Sequence, residues 1–275
     1  MNNAQKPAVK SFAVKAESAH GAQVPEFELS ELYSDPNFWI VNKPSGLAVH
    51  RGWARERLTA LSLAAQATGK YVYPVHRLDR ATSGALVFAL DAETTQLTQQ
   101  ALQSATAVKV YLALVRGITP EHGLIDHPIA KSKAHEKRPA RSAFERLATF
   151  ERYSLVRVRT FTGRLHQVRR HLKFISHPLI GDTKYGKGEH NRLFRERFDL
   201  HRLVLHAAQL CFVHPTSGER LVIRAPLPSD LARPFEATQL FDAAASAIAA
   251  PVWEPETEGW RCFEDPPPVP LSGST

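Results

Sequence analysis

HRLDRATSGALVFAL, residues 76–90, joins a densely charged loop to an apolar run. The run Gly84–Leu90 is short, continuous and bounded by turn residues, which predicts a buried strand. In the loop before it, Asp79 stands between Arg77 and Arg80, with His76 in front and Thr82-Ser83-Gly84 behind. A surface ion pair needs one partner, and here three cationic or potentially cationic groups flank one acid. Either the acid is held ionised for chemistry, or the arginines bind an anion and the acid orients them. A pinned carboxylate on a loop feeding the core suits a nucleophile or a base rather than a general acid. A structural Arg–Asp clamp holding the loop is the plainer alternative.

Working outward, the pattern mixes strands with helices. FWIVNKP (38–44) reads as a strand stopped by Pro44. LTALSLAAQATG predicts a helix with Leu58, Leu61 and Ala65 on one face, ending at Gly69. Asp91 is placed to cap a polar helix running to about residue 103. KVYLALVRG (109–117) is a further strand, with Lys109 and Tyr111 on one face and Val110 and Leu112 on the other. In YSLVRVRTF (153–161), Val156 and Val158 alternate with Arg157 and Arg159, predicting a half-buried strand with a basic outer face. CFVHPTSGERLVIRAP reads as a hairpin about Pro215–Gly218. Strands outnumber helices and several are joined by hairpins, so the expected class is α+β with a mainly antiparallel sheet. Residues 1–26 read as a disordered arm, 27–249 as the folded domain, and 250–275 as a Pro-rich tail tethered by Trp253, Trp260 and Phe263.

Composition narrows the partners. Thirty-five Lys and Arg against 27 Asp and Glu give a formal charge of +8 and favour a polyanion, nucleic acid before membrane. Cys211 and Cys262 form no metal-ligand spacing. No HExxH or comparable helical ligand pair occurs, so no metal is expected. There is no P-loop and no dinucleotide-binding glycine fingerprint, so no nucleotide cofactor is expected either. No apolar run approaches the roughly 20 residues of a membrane helix. The first residues carry no secretory apolar region, so a cytoplasmic protein is expected.

A second candidate site is TGRLHQVRRHL (162–172). As a helix from about residue 166, it places Val168, Leu172 and Ile175 on one face and His166, Arg169, Arg170 and Lys173 on the other. A basic face at a helix start suits phosphate, and a merely solvated charged face gives the same pattern. Tyr111 on its strand is suited to stacking on a base or to moving a proton, although most such tyrosines only pack a core. The loop SHPLIGDTKYG (176–186) brings His177, Asp182 and Lys184.

Taken together, HRLDRATSG, KVYLALVRG and GRLHQVRRHL resemble, in order, the motifs of the RluA-type pseudouridine synthases. HPLIGDTKYG and LHAAQLCFVHPTSGERLVIRAP extend the likeness over about residues 30–230. AVHRGW (48–53) and HNRLFRERFDLHRLVLHA (190–207) are closer to the TruC-type branch, the tRNA pseudouridine-65 synthases. The resemblance implies the pseudouridine synthase fold, a mixed and mainly antiparallel sheet in two halves with a central cleft. It implies isomerisation of uridine in RNA without a cofactor. It implies Asp79 as the catalytic aspartate, Arg169 as its partner, Tyr111 against the target uracil, and Arg77 in the space the flipped base leaves. Whether Asp79 attacks C1′ or removes a proton at C2′ stays open. RNA contacts are expected from His76, Arg77, Arg80, His166, Arg170 and Lys173, with Arg157 and Arg159 on the basic strand face. A cationic segment bearing Arg192, Arg195 and Arg197 is expected to grip folded tRNA. A monomer is expected. The rival readings are a 23S rRNA pseudouridine synthase and a non-catalytic RNA-binding protein on the same fold. A metal-dependent nuclease would need clustered carboxylates that the sequence does not display.

Overall fold

A computed structural model of the chain describes residues 11–14, 27–51, 58–132 and 134–264. Strand β1 (Ser11–Val14) lies antiparallel on β2 (Phe27–Ser34), which turns into β3 (Phe38–Lys43). Next come α1 (Ala60–Thr68), β4 (Tyr73–Pro74), β5 (Ser83–Ala89) and α2 (Ala92–Gln103). The middle of the chain gives β6 (Val108–Arg116), β7 (His122–Asp126), the short pair β8 (Ile129–Ala130) and β9 (Lys137–Arg138), then β10 (Arg141–Phe150) and β11 (Tyr153–Thr160). Helices α3 (Gln167–Phe174) and α4 (Gly188–Phe198) precede β12 (Leu205–Val213) and β13 (Arg220–Arg224). Helices α5 (Ser229–Ala237) and α6 (Phe241–Ala249) and strand β14 (Cys262–Glu264) end the described chain.

Twelve strands form one sheet in the order β1-β2-β3-β5-β12-β6-β11-β10-β7-β14, with β4 on β5 and β13 on β12. Neighbours are antiparallel except β5–β12 and β14–β7. The β5–β12 contact has only two residue pairs, Ser83 with His206 and Gly84 with Ala207. This short parallel seam joins a half built on β2, β3 and β5 to a half built on β12, β6, β11, β10 and β7. A side chain at Gly84 would run into the Ala207 backbone, so the seam needs glycine there.

Every residue of β5 is buried, because both its faces are covered. Leu86 and Phe88 pack with Trp39, Val41 and α1, whereas Ala85, Val87 and Ala89 pack with Phe38, Ile40 and Leu102 of α2. Helix α1 is capped by Thr59, whose Oγ1 accepts from Ser62 N at 3.1 Å, and it closes on Gly69 at φ 66°. Its fully buried residues are Ala60, Leu63 and Ala64. Leu58, Leu61 and Ala65, expected to share one face, are only partly buried, and the face turned to the core is that of Ala60, Leu63 and Ala64. Asp91 caps α2 as expected, accepting from Thr94 N at 2.7 Å.

The far half likewise has two covered faces. Leu112 and Leu114 of β6 pack under α4, α5 and α6, and Ala113 and Val115 pack against α3. The expected basic face of β11 is not a wet face. Arg159 lies opposite Val110 and is 8% exposed, and Arg157 is bound to Glu145 at 2.6 Å with its guanidinium 4.5 Å from the Trp253 ring. Alternation placed the two arginines together on one face, but Trp253 and its neighbours cover that face. Trp253 is buried, Trp260 stacks near His122 at 4.5 Å, and β14 lengthens the sheet beside β7. Residues 265–275 of the expected tail lie outside the described residues, as do residues 1–10 and 15–26 of the expected arm.

Candidate active site

The loop carrying Asp79 is held from three directions. Lys43, wholly buried at the end of β3, donates from Nζ to the carbonyls of Pro44 (2.8 Å), Leu47 (2.8 Å) and Arg80 (3.2 Å). Burial, with Arg202 and Arg80 nearby, pushes its ammonium down to about 7. Arg80 donates from Nε to Gly46 O at 2.8 Å, and Ser45 Oγ to Ala81 O at 2.8 Å. Behind the loop, His206 Nε2 lies 3.0 Å from Ala225 O and must donate to it. Its Nδ1 therefore accepts from Ser83 Oγ at 2.8 Å. The same Ser83 oxygen accepts from Arg202 Nη2 at 2.7 Å.

Asp79 faces Arg169 across the gap between the two halves. Arg169 Nη1 donates to Asp79 Oδ2 at 3.0 Å. The other edge of the guanidinium grips Asp182, Nε to Oδ2 at 2.7 Å and Nη2 to Oδ1 at 2.9 Å. Asp182 has a side chain 0% exposed and also accepts from the backbone N–H groups of Lys184 and Tyr185, each at 2.9 Å. Burial alone would raise its carboxyl, but the hydrogen bonds from Arg169, Tyr185 and Lys184 outweigh that and hold it below the usual range. The Arg169 guanidinium lies 5.1 Å from the centre of the Tyr185 ring. Arg169 is thus not on a solvated helix face. It is a buried bridge between two carboxylates.

Helix α3 is fixed beneath by a second buried network. His171 Nε2 donates to His127 O (3.0 Å), so its Nδ1 accepts from Ser142 Oγ (2.9 Å). Gln167 donates to Ser142 Oγ at 3.0 Å and accepts from Arg164 N at 2.9 Å. His166, the residue before the helix, is left-handed at φ 54° and makes no capping bond.

Asp79, Tyr111, Arg169 and His166 line one cleft of about 850 Å³. Tyr111 packs against apolar clusters of both halves. Burial and the nearby charge of Asp79 push its hydroxyl up to about 12. Arg77, Lys109, Lys131, Arg138 and Arg164 also line the cleft, giving its walls a cationic lining suited to a polyanion. Lys131 and Arg138 come from the β8–β9 hairpin and its loop, a stretch that sequence reasoning passed over.

Other expected RNA contacts sit differently. His76 is outside the cleft lining, accepts from Val87 N at 3.3 Å, and is pushed down to about 4 by burial. A neutral ring spent on a backbone N–H is a strand support, not a phosphate ligand. Arg170 donates to Ala130 O at 2.6 Å and so braces the hairpin. Lys173 is exposed, 5.7 Å from the Tyr185 ring centre. Arg192, Arg195 and Arg197 do not line the cleft. Their helix packs Phe194 against Tyr153, at the end of β11 away from Thr160, and Arg197 is paired with Glu151 at 3.0 Å. Residues 52–57, which include part of the AVHRGW stretch, lie outside the described residues.

The site is thus a buried arginine bridging two carboxylates in a cationic cleft of a two-half sheet. Residues 37–174 match the family model described as RNA pseudouridylate synthase. The chain belongs to that family and is an RNA pseudouridine synthase. Its relatives include the tRNA pseudouridine synthase C of Vibrio parahaemolyticus serotype O3:K6 (strain RIMD 2210633), 40% identical over 223 residues that cover 73% of this chain and 91% of that protein. The tRNA pseudouridine synthase C of Haemophilus ducreyi (strain 35000HP / ATCC 700724) is 39% identical over 222 residues, 73% of this chain and 91% of its own. Among solved structures, Human RNA Pseudouridylate Synthase Domain Containing 4 shares the fold with a TM-score of 0.64 at 24% identity, covering 76% of this chain and 92% of that one. Human RNA Pseudouridylate Synthase Domain Containing 1 does so with a TM-score of 0.61 at 26% identity, covering 73% and 84%. Among the described residues, no helix is long and apolar enough to cross a membrane.

Proposed function

We propose that the protein converts a uridine of tRNA to pseudouridine, at position 65, with Asp79 as the reacting carboxylate. The observation that carries the role of Asp79 is its geometry: the residue lines the cleft, Oδ2 is held by Arg169, and Oδ1 accepts no hydrogen bond among the described residues, with His166 Nε2 3.7 Å away. The tRNA substrate is supported by the relatives named tRNA pseudouridine synthase C, which the chain matches over nine-tenths of their length.

The reaction breaks N1–C1′, turns the base and joins C5 to C1′. Nothing is oxidised and no group leaves, so it balances without a cofactor. The target must leave its stack, at a cost of a few kcal/mol. Arg77, exposed at the cleft wall, is positioned to take the vacated space. Oδ1 of Asp79 then acts at the ribose, either at C1′ or on the C2′ proton. Arg169, holding Oδ2 at 3.0 Å, fixes the orientation of the carboxylate and leaves Oδ1 for the ribose. Tyr111 stacks on the base. With its hydroxyl pushed up to about 12, its phenolate is scarce at neutral pH, so it is a poor acceptor for the C5 proton.

The test is Asp79→Asn, assayed by tritium release from RNA carrying 5-tritiated uridine and by filter binding. Isomerisation should vanish while RNA affinity stays within about tenfold, roughly 1.4 kcal/mol. Carbodiimide primer extension on tRNA and on rRNA fragments reads the position. A stop in rRNA and none in tRNA would keep the enzyme class and overturn the substrate.

A further inference from the structure

Among the described non-glycine residues with positive φ, His166 is the one that lines the cleft. A left-handed residue at a helix start usually gains a capping bond or is glycine. His166 has neither advantage, and a left-handed non-glycine residue held at the cleft points to use of its side chain there. Its Nε2 lies 3.7 Å from Oδ1 of Asp79, the oxygen Arg169 does not hold. Its Nδ1 lies 3.0 Å from Tyr185 Oη. A charge-assisted N–H···O⁻ bond closes to about 2.7–2.9 Å. The wider gap at Nε2 fits the tautomer whose proton sits on Nδ1 and is given to Tyr185, leaving a lone pair toward Asp79.

This geometry meets a need of the reaction proposed above. Once C5 is bonded to C1′, its C–H bond must break, the electron pair returning to the ring and the proton going to a base. Asp79 is the base at hand and becomes a carboxylic acid. Arg169 has only donors and cannot relieve it. We propose that His166 and Tyr185 form the path by which Asp79 discharges this proton. The Oδ1–H bond breaks as Nε2–H forms, Nδ1 passes its proton to Tyr185 Oη, and the hydroxyl proton leaves to water. One proton departs and no electrons are exchanged. The charged groups around the imidazole are Asp79, Arg169, Asp182 and Lys184. Burial is the largest influence on it and favours the neutral ring that the path requires. His166 is thus a positioning and relay residue acting through Asp79, not a phosphate ligand.

The proposal rests on the pseudouridine-forming reaction at Asp79, and the experiment separates the two. His166→Gly relaxes the left-handed backbone and leaves space for added imidazole. His166→Asn tolerates the same backbone and offers no base. Steady-state pseudouridine formation in tRNA, which needs Asp79 ionised again for each round, should fall about 100-fold in both, with filter-binding affinity within about threefold of wild type. Imidazole should restore about tenfold in His166→Gly and nothing in His166→Asn, and Tyr185→Phe should slow the step about tenfold. Melting of His166→Gly should be no lower than that of wild type. Unchanged rates, a loss of affinity with the rate intact, or a slow step that imidazole leaves slow each overturn the relay. A wild type that forms no pseudouridine in any RNA overturns the parent reaction and the relay with it. An active wild type beside equally active variants overturns the relay alone.

Discussion

Arg169 gives two of its three carboxylate hydrogen bonds to Asp182 and one to Asp79. The residue that sets the guanidinium is therefore not the one it serves. Asp182 lies in a turn pinned by Asn191, which accepts from Gly181 N and donates to Asp182 O, and a side chain at Gly181 would strike the Arg202 carbonyl.

Asp182→Asn is expected to leave Arg169 as a buried charge without its main partner. The cost is about 3–5 kcal/mol, or a melting temperature lower by about 6–20 °C. Turnover should collapse as Arg169 swings from Asp79. Calorimetry and tritium release on one preparation check both, and a variant matching wild type in each would show that Asp182 does not aim the guanidinium.

Tyr111 separates stacking from proton transfer. Because its hydroxyl is pushed up to about 12, Tyr111→Phe should keep turnover within about tenfold, whereas Tyr111→Ala, which loses the ring, should lose about 100-fold or more. Equal losses in the two variants would return the hydroxyl to the chemistry.

Acid should destabilise the fold well above the carboxylate range. His171 and His206 are fully buried and pushed down to about 4. The unfolded chain takes up protons at these positions near pH 6.5, and the folded chain resists until about 4. Stability is therefore full above about 6.5 and falls through that window by about 1.4 kcal/mol per pH unit per histidine. Denaturant titrations between pH 7 and 4 read the slope, and His206→Gln should flatten it. A flat profile would mean that these rings are not held neutral.

Binding of tRNA should weaken steeply with salt as phosphate contacts release counterions. Arg138→Ala and Arg164→Ala, both at the cleft wall, should each flatten the log–log slope by about one unit. Arg157→Ala and Arg159→Ala, on the covered face, should leave it unchanged. The opposite pattern would move the RNA to the other side of the sheet.

The strand of residues 84–90 was legible because a continuous apolar run between turn residues has few alternatives, and its charged preface marked the loop that carries Asp79. Motif order pointed to Tyr111 and Arg169. Asp182 stayed inconspicuous because its partner lies thirteen residues away on a helix, at no spacing that signals a pair. Lys43 read as the end of a strand, since nothing local shows that three carbonyls converge on it. The arginines of β11 misled for a general reason. Alternation tells which residues share a face, but whether that face is wet depends on what the rest of the chain lays across it.

The two-pair seam between β5 and β12 gives the enzyme the mechanics of a calliper. Asp79 rides at the start of one arm, Arg169 hangs from the other, and Tyr111 lies near the pivot with its ring packed against both. The separation of the reacting acid from its cation is thus an angular property of the whole sheet. Substitutions remote from the cleft that alter how the arms are splayed will be felt as changes in catalysis, with every residue of the site still in place.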